Sequence, residues 1–162
     1  MEMGFRISGG SMHKVSLPVT GLNTTQGVMR YVLGDEVCDD ETLKKVDPRN
    51  PKCSGGQFCI PLNAGTIDHY EGLEESKNVP GVTDVVQYYF PSDTVEERVL
   101  GTLGQQCLRY TALADDLDGY IAIARKVFDM VKVYDTEGKL MNTMPMDFTR
   151  FKTKKENKGE HL

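Results

Sequence analysis

The sequence predicts an α+β fold: a mainly antiparallel sheet covered by one or two helices. Three observations carry this. Several short stretches alternate polar and apolar residues with a period of two, the strand signature. The turns between the middle ones, such as Asn63-Ala64-Gly65 and Pro91-Ser92-Asp93, are too short for helical crossovers. One long segment, Asp116 to Met130, repeats apolar residues at helical spacing instead.

The elements follow in order. Met3, Phe5 and Ile7 alternate with Glu2, Gly4, Arg6 and Ser8, which predicts a strand ended by Gly9 and Gly10. A patterned strand face right at the front leads us to expect further chain before it. Asn23 to Leu33 reads as a helix: Asn23 or Thr24 can cap it, Val28, Tyr31 and Val32 recur at helical spacing, and Gly34 stops it. Asp35 to Ser54 is polar, acidic and broken by Pro48 and Pro51, so a long loop or insertion is expected. Gln57 to Leu62 and Thr66 to Tyr70 read as strands. Gly72 to Asn78 has room for one helical turn before Pro80-Gly81.

Val82 to Phe90 reads as a strand with Val86, Tyr88 and Phe90 on one face. Gly104 to Ala112 follows, with Leu108, Tyr110 and Ala112 opposite Cys107, Arg109 and Thr111. Such two-faced strands suit a sheet covered on one side. The covering element is the helix after Asp115 or Asp116, whose stripe is Leu117, Tyr120, Ile121, Ala124, Val127, Phe128 and Val131. Val131 to Tyr134 returns as a strand, and Thr136-Glu137-Gly138 turns. The last residues, 149–162, are polar and lysine-rich, so a disordered tail is expected.

Composition narrows the function classes. The 162 residues carry 24 acids against 19 Lys and Arg, a formal charge of -5, which argues against a bulk grip on nucleic acid or anionic lipid. No apolar run approaches the ~18–20 residues that span a bilayer, and the N-terminus lacks the layout of a secretory signal. The expected compartment is the cytoplasm. Cys38, Cys53 and Cys59 with His69 lack the tight C-x(2–4)-C pair of structural zinc sites, so free thiols are expected. Cys107 reads as a small hydrophobe in a strand.

The chain has no P-loop, no G-x-G-x-x-G after a strand, no G-x-S-x-G elbow and no H-E-x-x-H. One constellation stands out. On the first strand Glu2, Gly4 and Arg6 point to one face, and Ser8-Gly9-Gly10-Ser11 follows as a turn. A carboxylate suits a hard cation, a guanidinium suits a phosphate, and a glycine turn leaves backbone N–H groups free to meet an anion. From spacing alone the plainer reading of these residues is a surface ion pair on an edge strand beside a turn. A weaker alternative is a small metal-dependent hydrolase or lyase using His69, Glu71, Glu74 and Glu75.

The run Glu2-Met3-Gly4-Phe5-Arg6-Ile7-Ser8-Gly9-Gly10 resembles the late E-x-N-x-R strand and glycine turn of ATP-grasp ligases. Thr20-Gly21-Leu22-Asn23 resembles that family's helix entry and Met29 to Gly34 its helix exit. Further pieces resemble the C-terminal domain of L-amino-acid-ligase and biotin-carboxylase-like members. They are Ala64-Gly65-Thr66-Ile67, Val79-Pro80-Gly81-Val82, Gly101-Thr102-Leu103-Gly104-Gln105, the helix after Asp115, and Val131-Lys132-Val133-Tyr134-Asp135 with Gly138. The resemblance runs from about Met1 to Met141.

The resemblance implies roles. Glu2 would bind magnesium, Arg6 would contact the transferred phosphate, and Ser8, Gly9, Gly10 and Ser11 would form the turn near substrate. Gly4 departs from the family's Asn and offers no side-chain oxygen as the second metal ligand. The implied division is 1–34 as the end of the catalytic lobe, 35–54 as a loop or insertion, 55–148 as a C-terminal α+β domain and 149–162 as a tail. The implied function is that of the C-terminal part of a ligase that activates a carboxylate as an acyl phosphate with Mg-ATP. The family's nucleotide-binding parts lie upstream of this strand, so the chain alone is expected to be inactive and to hold neither ATP nor magnesium tightly. Its partner would be the missing N-terminal catalytic half, or a second copy in a dimer. The alternative is a non-catalytic α+β module that binds a partner chain or self-associates through the apolar face of Met3, Phe5 and Ile7.

Overall fold

Phe58 and Tyr110 stack face to face, ring centroids 5.3 Å apart, on neighbouring strands at the centre of the core. Around this pair the computed structural model describes residues 13–47 and 51–143. Five helices and six strands are found among them: α1 (His13–Thr20), α2 (Thr24–Leu33), α3 (Asp40–Lys44), β1 (Ser54–Pro61), β2 (Gly65–Glu71), α4 (Leu73–Lys77), β3 (Val82–Gln87), β4 (Thr94–Val95), β5 (Gln106–Ala114), α5 (Leu117–Met130) and β6 (Lys132–Asp135). Short 3-10 turns occupy Glu97–Val99 and Leu103–Gln105. The predicted strand from Met1 to Ser8 and the predicted tail lie outside the described residues.

The fold is α+β with antiparallel pairing throughout the named strands. The strands form two three-stranded sheets, ordered β1-β5-β3 and β4-β2-β6. Short turns between sequence neighbours do not reveal this split, because β1 pairs with β5 and β2 with β6 over long separations. The sheets are tied where β1 ends: Asn63 N–H bonds the Met141 carbonyl at 2.7 Å, and Leu62 bridges Asn142. The Tyr70 hydroxyl of β2 donates to the Tyr89 carbonyl at 2.7 Å and lies 2.9 Å from Cys107 Sγ of β5.

Helix α5 covers one face of the first sheet. Asp116 caps it, its carboxylate accepting from Gly119 N–H at 2.8 Å, a contact that contributes about 1 kcal/mol. Ile121, Ala124 and Val127 are buried against the sheet, and Tyr120 and Phe128 reach Phe58. Each large apolar side chain removed from water there contributes roughly 1.5–3 kcal/mol. The core continues through Leu62, Ile67, Val95, Val131, Val133 and Met141 under the second sheet.

Four differences from the sequence reading matter. Cys107 does not share a face with Arg109 and Thr111. The β1 register passes from Ile60↔Leu108 to Pro61↔Gln106, so Cys107 is skipped in a bulge and turns into the core beside Leu108, fully buried. Strand β3 stops at Gln87, leaving Tyr88 and Phe90 exposed. The segment read as a loop after Gly34 holds α3, capped by Asp39, whose carboxylate accepts from Thr42 N–H at 2.7 Å. Helix α1 has no counterpart in the reading, because only Val15 of it is buried and no stripe announces it.

Helix α2 forms where expected, with Asn23 accepting from Gln26 N–H and Asp35 N–H closing onto the Arg30 carbonyl past Gly34. Its apolar side is nevertheless exposed: Met29 60%, Tyr31 73%, Val32 76% and Leu33 75%. No described helix is long and apolar enough to cross a membrane.

Candidate functional site

The face of β1-β5-β3 turned away from α5 is polar. Register places Gln57, Thr111 and Asp84 in one row across the sheet and Cys59, Arg109 and Val86 in the next. Alternation explains why: the same strands send Phe58, Ile60, Leu108 and Tyr110 into the core. The bulge at Cys107 adds Gln106 to the polar face, where its side-chain oxygen accepts from Cys59 Sγ at 3.2 Å. Gln57 Nε2 donates to Thr111 Oγ1 at 3.2 Å.

Helix α1 flanks this face. Val15 lies over Gly55 and Leu113, where a Cβ on Gly55 would meet Val15 Cγ1 at 3.3 Å. Lys14 bridges to Asp84 at 2.8 Å and ties the helix to β3. At the centre of the face stands Arg109. Its guanidinium carbon sits 5.4 Å from the ring centroid of Tyr88, and its Nε is buried with no hydrogen-bond partner. No ion pair to Arg109 occurs among the described residues. Burial pushes the Cys59 thiol up, and the nearby Arg109 charge only partly offsets this, so Cys59 is a neutral thiol at pH 7.

The second cluster is the one raised by His69, Glu71, Glu74 and Glu75. These residues line an open cleft of about 650 Å³ together with Tyr70, Gln87 and Phe90. Its charges are dispersed over the surface. His69 Nδ1 meets Asp68 at 2.7 Å and its ring stacks on Tyr134, while Glu74 pairs with Lys77 at 2.6 Å. Exposed pairs of this kind contribute little. Among the described residues no three His, Cys, Asp or Glu side chains converge as a metal site, so these residues do not by themselves fit magnesium. All four cysteines are free thiols.

Glu2, Arg6, Ser8, Gly9, Gly10 and Ser11 lie outside the described residues, and so does the geometry between them. Arg109 was visible in the sequence only as one polar member of an alternating strand. A mid-strand arginine is the signal, but the absence of an acid partner among the described residues depends on cross-strand register that one strand does not disclose.

No protein-family model matches the chain, and no curated protein matches it. Solved structures do. An L-amino acid ligase from Bacillus licheniformis matches with a TM-score of 0.66 and 21% identity, over 82% of this chain and 33% of that one. A phosphoribosylglycinamide synthetase from Anaerococcus prevotii matches with a TM-score of 0.62 and 6% identity, over 81% of this chain and 32% of that one. Both are ATP-grasp enzymes, and the likeness is one of fold. The α+β, ATP-grasp-like architecture expected from the resemblance is therefore the architecture found. The chain spans about a third of the length of each enzyme.

Proposed function

We propose that the chain is the C-terminal part of an ATP-grasp ligase of the carboxylate–amine kind. The observation that supports this is the fold likeness to two such enzymes over a third of their length. In this reading 1–34 closes the catalytic lobe, 35–54 is an insertion, 55–148 is the C-terminal domain and 149–162 a tail. Mg-ATP in the whole enzyme would supply the phosphoryl group that turns a carboxylate into an acyl phosphate. Glu2 would hold the magnesium, Arg6 would stabilise phosphoryl oxygens, and the Ser8-Gly9-Gly10-Ser11 turn would border the substrate. The cytoplasm, where ATP is plentiful, is the compartment this reading requires.

Phosphoryl transfer rests mostly on positioning and electrostatic stabilisation. One carboxylate and one arginine supply little of either, so the chain alone is expected neither to bind Mg-ATP tightly nor to hydrolyse it. Calorimetric titration measures this, and a micromolar dissociation constant for the chain alone overturns it. Extending the chain upstream along its coding sequence is expected to restore binding, with ADP release that depends on a carboxylate and an amine. An extended protein that remains silent in both assays removes the ligase reading.

A second reading has its own support. The exposed apolar side of α2 is larger than scattered surface hydrophobes. It suits a non-catalytic module that docks a partner chain or a second copy there, in place of a catalytic half. Light scattering over a concentration series is expected to show self-association that Tyr31→Lys weakens. A strict monomer at high concentration counts against the self-associating form.

A further inference from the structure

We propose that Arg109 is the anchor of an oxyanion-binding site, for a carboxylate or phosphate group, on the polar face of β1-β5-β3. The proposal stands apart from the ligase reading, because it needs only the charge arrangement of this face.

Among the described residues the arrangement leaves a cation without an anion. Arg109 occupies the middle strand, and its register neighbours are Cys59 and Val86, neither of them an acid. Among the described residues Asp84 is the acid that β1, β5 and β3 place on this face, and Lys14 already pairs with it at 2.8 Å. The Cys59 thiol stays protonated at neutral pH and provides no countercharge. A half-buried guanidinium with a buried, unpartnered Nε is costly to keep unless something completes it.

The chemistry of that missing partner follows from the donor. A guanidinium is a planar fork of N–H groups that matches the two oxygens of a carboxylate or the edge of a phosphate. Tyr88 at 5.4 Å supports the cation through its ring face and leaves the donor edge for in-plane hydrogen bonds. Tyr88 is itself 44% exposed, so the stack sits at the mouth of the face rather than deep beneath it. A neutral ligand would satisfy Nε but leave the charge bare. An oxyanion does both.

The test is an NMR titration of the full isotope-labelled chain with inorganic phosphate and, separately, with acetate, at constant ionic strength in chloride. The Arg109 side-chain Nε–Hε signal and the backbone amides of Cys59 and Thr111 are followed. A saturable shift is expected with one of the two probes. Phosphate alone assigns a phosphoryl group, and acetate alone assigns a carboxylate. Arg109→Lys keeps the charge but loses the fork, and is expected to bind about tenfold more weakly. Arg109→Met is expected to abolish saturation without lowering the thermal midpoint, since it removes the unpartnered Nε. Linear, unsaturable shifts with both probes overturn the proposal, as does saturation that survives in Arg109→Met. A midpoint lowered by more than about 5 °C in Arg109→Met also overturns it, because that marks a guanidinium held for packing.

Discussion

Raising the pH from 9 to 12 is expected to lower the unfolding free energy by roughly 3–5 kcal/mol through Cys107 and Tyr110, and the half-buried Tyr70 hydroxyl beside Cys107, pushed well up by burial, adds to the loss in the same direction. Both side chains are fully buried. Burial pushes the Cys107 thiol from 9.0 up to about 11, with hydrogen bonds to Tyr70 and the Tyr89 backbone opposing it. Burial likewise pushes Tyr110 from 10.0 up to about 12, opposed by the hydrogen bond to Ser76 and reinforced by nearby Cys107. The unfolded chain therefore releases these protons near their ordinary values, while the folded chain holds them. In that window the unfolded state binds fewer protons, so stability falls as pH rises. Below pH 9 the contribution is complete and constant. Each group spans about two pKa units, or roughly 3 kcal/mol, and because pH 12 only reaches the folded-state value of Tyr110, the loss from the two at that pH stays below twice that.

Denaturant titrations at pH 8, 9.5 and 11 check this. Tyr110→Phe is the control: Ser76 still donates to the Leu73 carbonyl at 2.6 Å, so no donor is stranded, and the alkaline slope is expected to shrink, with Cys107 and Tyr70 carrying the remainder. An unfolding free energy that stays level from pH 8 to 11 removes the account.

The same core shows how far the sequence speaks. Helix α5 was legible because its cap and its stripe both lie within fifteen consecutive residues, from Asp116 to Met130. Strand β5 was legible as alternation, but its bulge was not. The extra residue at Cys107 exists only relative to Ile60 and Pro61 on a strand almost fifty residues earlier. Helix α2 shows the complementary limit. Val28, Tyr31 and Val32 announce a helix with an apolar side, yet periodicity does not say what covers that side, and here it is exposed. The site follows the same logic. Arg109 is visible as a residue type, whereas its having no acid partner among the described residues is a property of three strands and of Lys14 reaching Asp84. Glu2 and Arg6 became candidates through a resemblance carried by local spacing, which is the kind of information a sequence does hold.

Gly72→Ala is expected to cost about 2–5 kcal/mol, a large share of what holds a domain of this size folded. Gly72 joins β2 to α4 at φ 69°, the left-handed region that an L side chain enters at a cost of about 1 kcal/mol. Space is the larger difficulty. A Cβ there would overlap the Met130 carbonyl oxygen and lie 2.9 Å from the Met130 carbonyl carbon, both backbone atoms at the end of α5. A flexible side chain could swing aside, but a helix terminus moves only with the helix. Displacing it would disturb Val127, fully buried one turn back, and Val131, which leads into β6. Gly138→Ala separates the two contributions. Gly138 has φ 78° and nothing within 4 Å of its would-be Cβ, so that variant is expected to lose only about 1 kcal/mol. Thermal unfolding of both variants measures the difference, about 10 °C at the upper end of the range for Gly72→Ala. Equal losses at the two positions would mean that backbone conformation alone demands the glycines, and that the packing of the β2–α4 junction against α5 carries no weight.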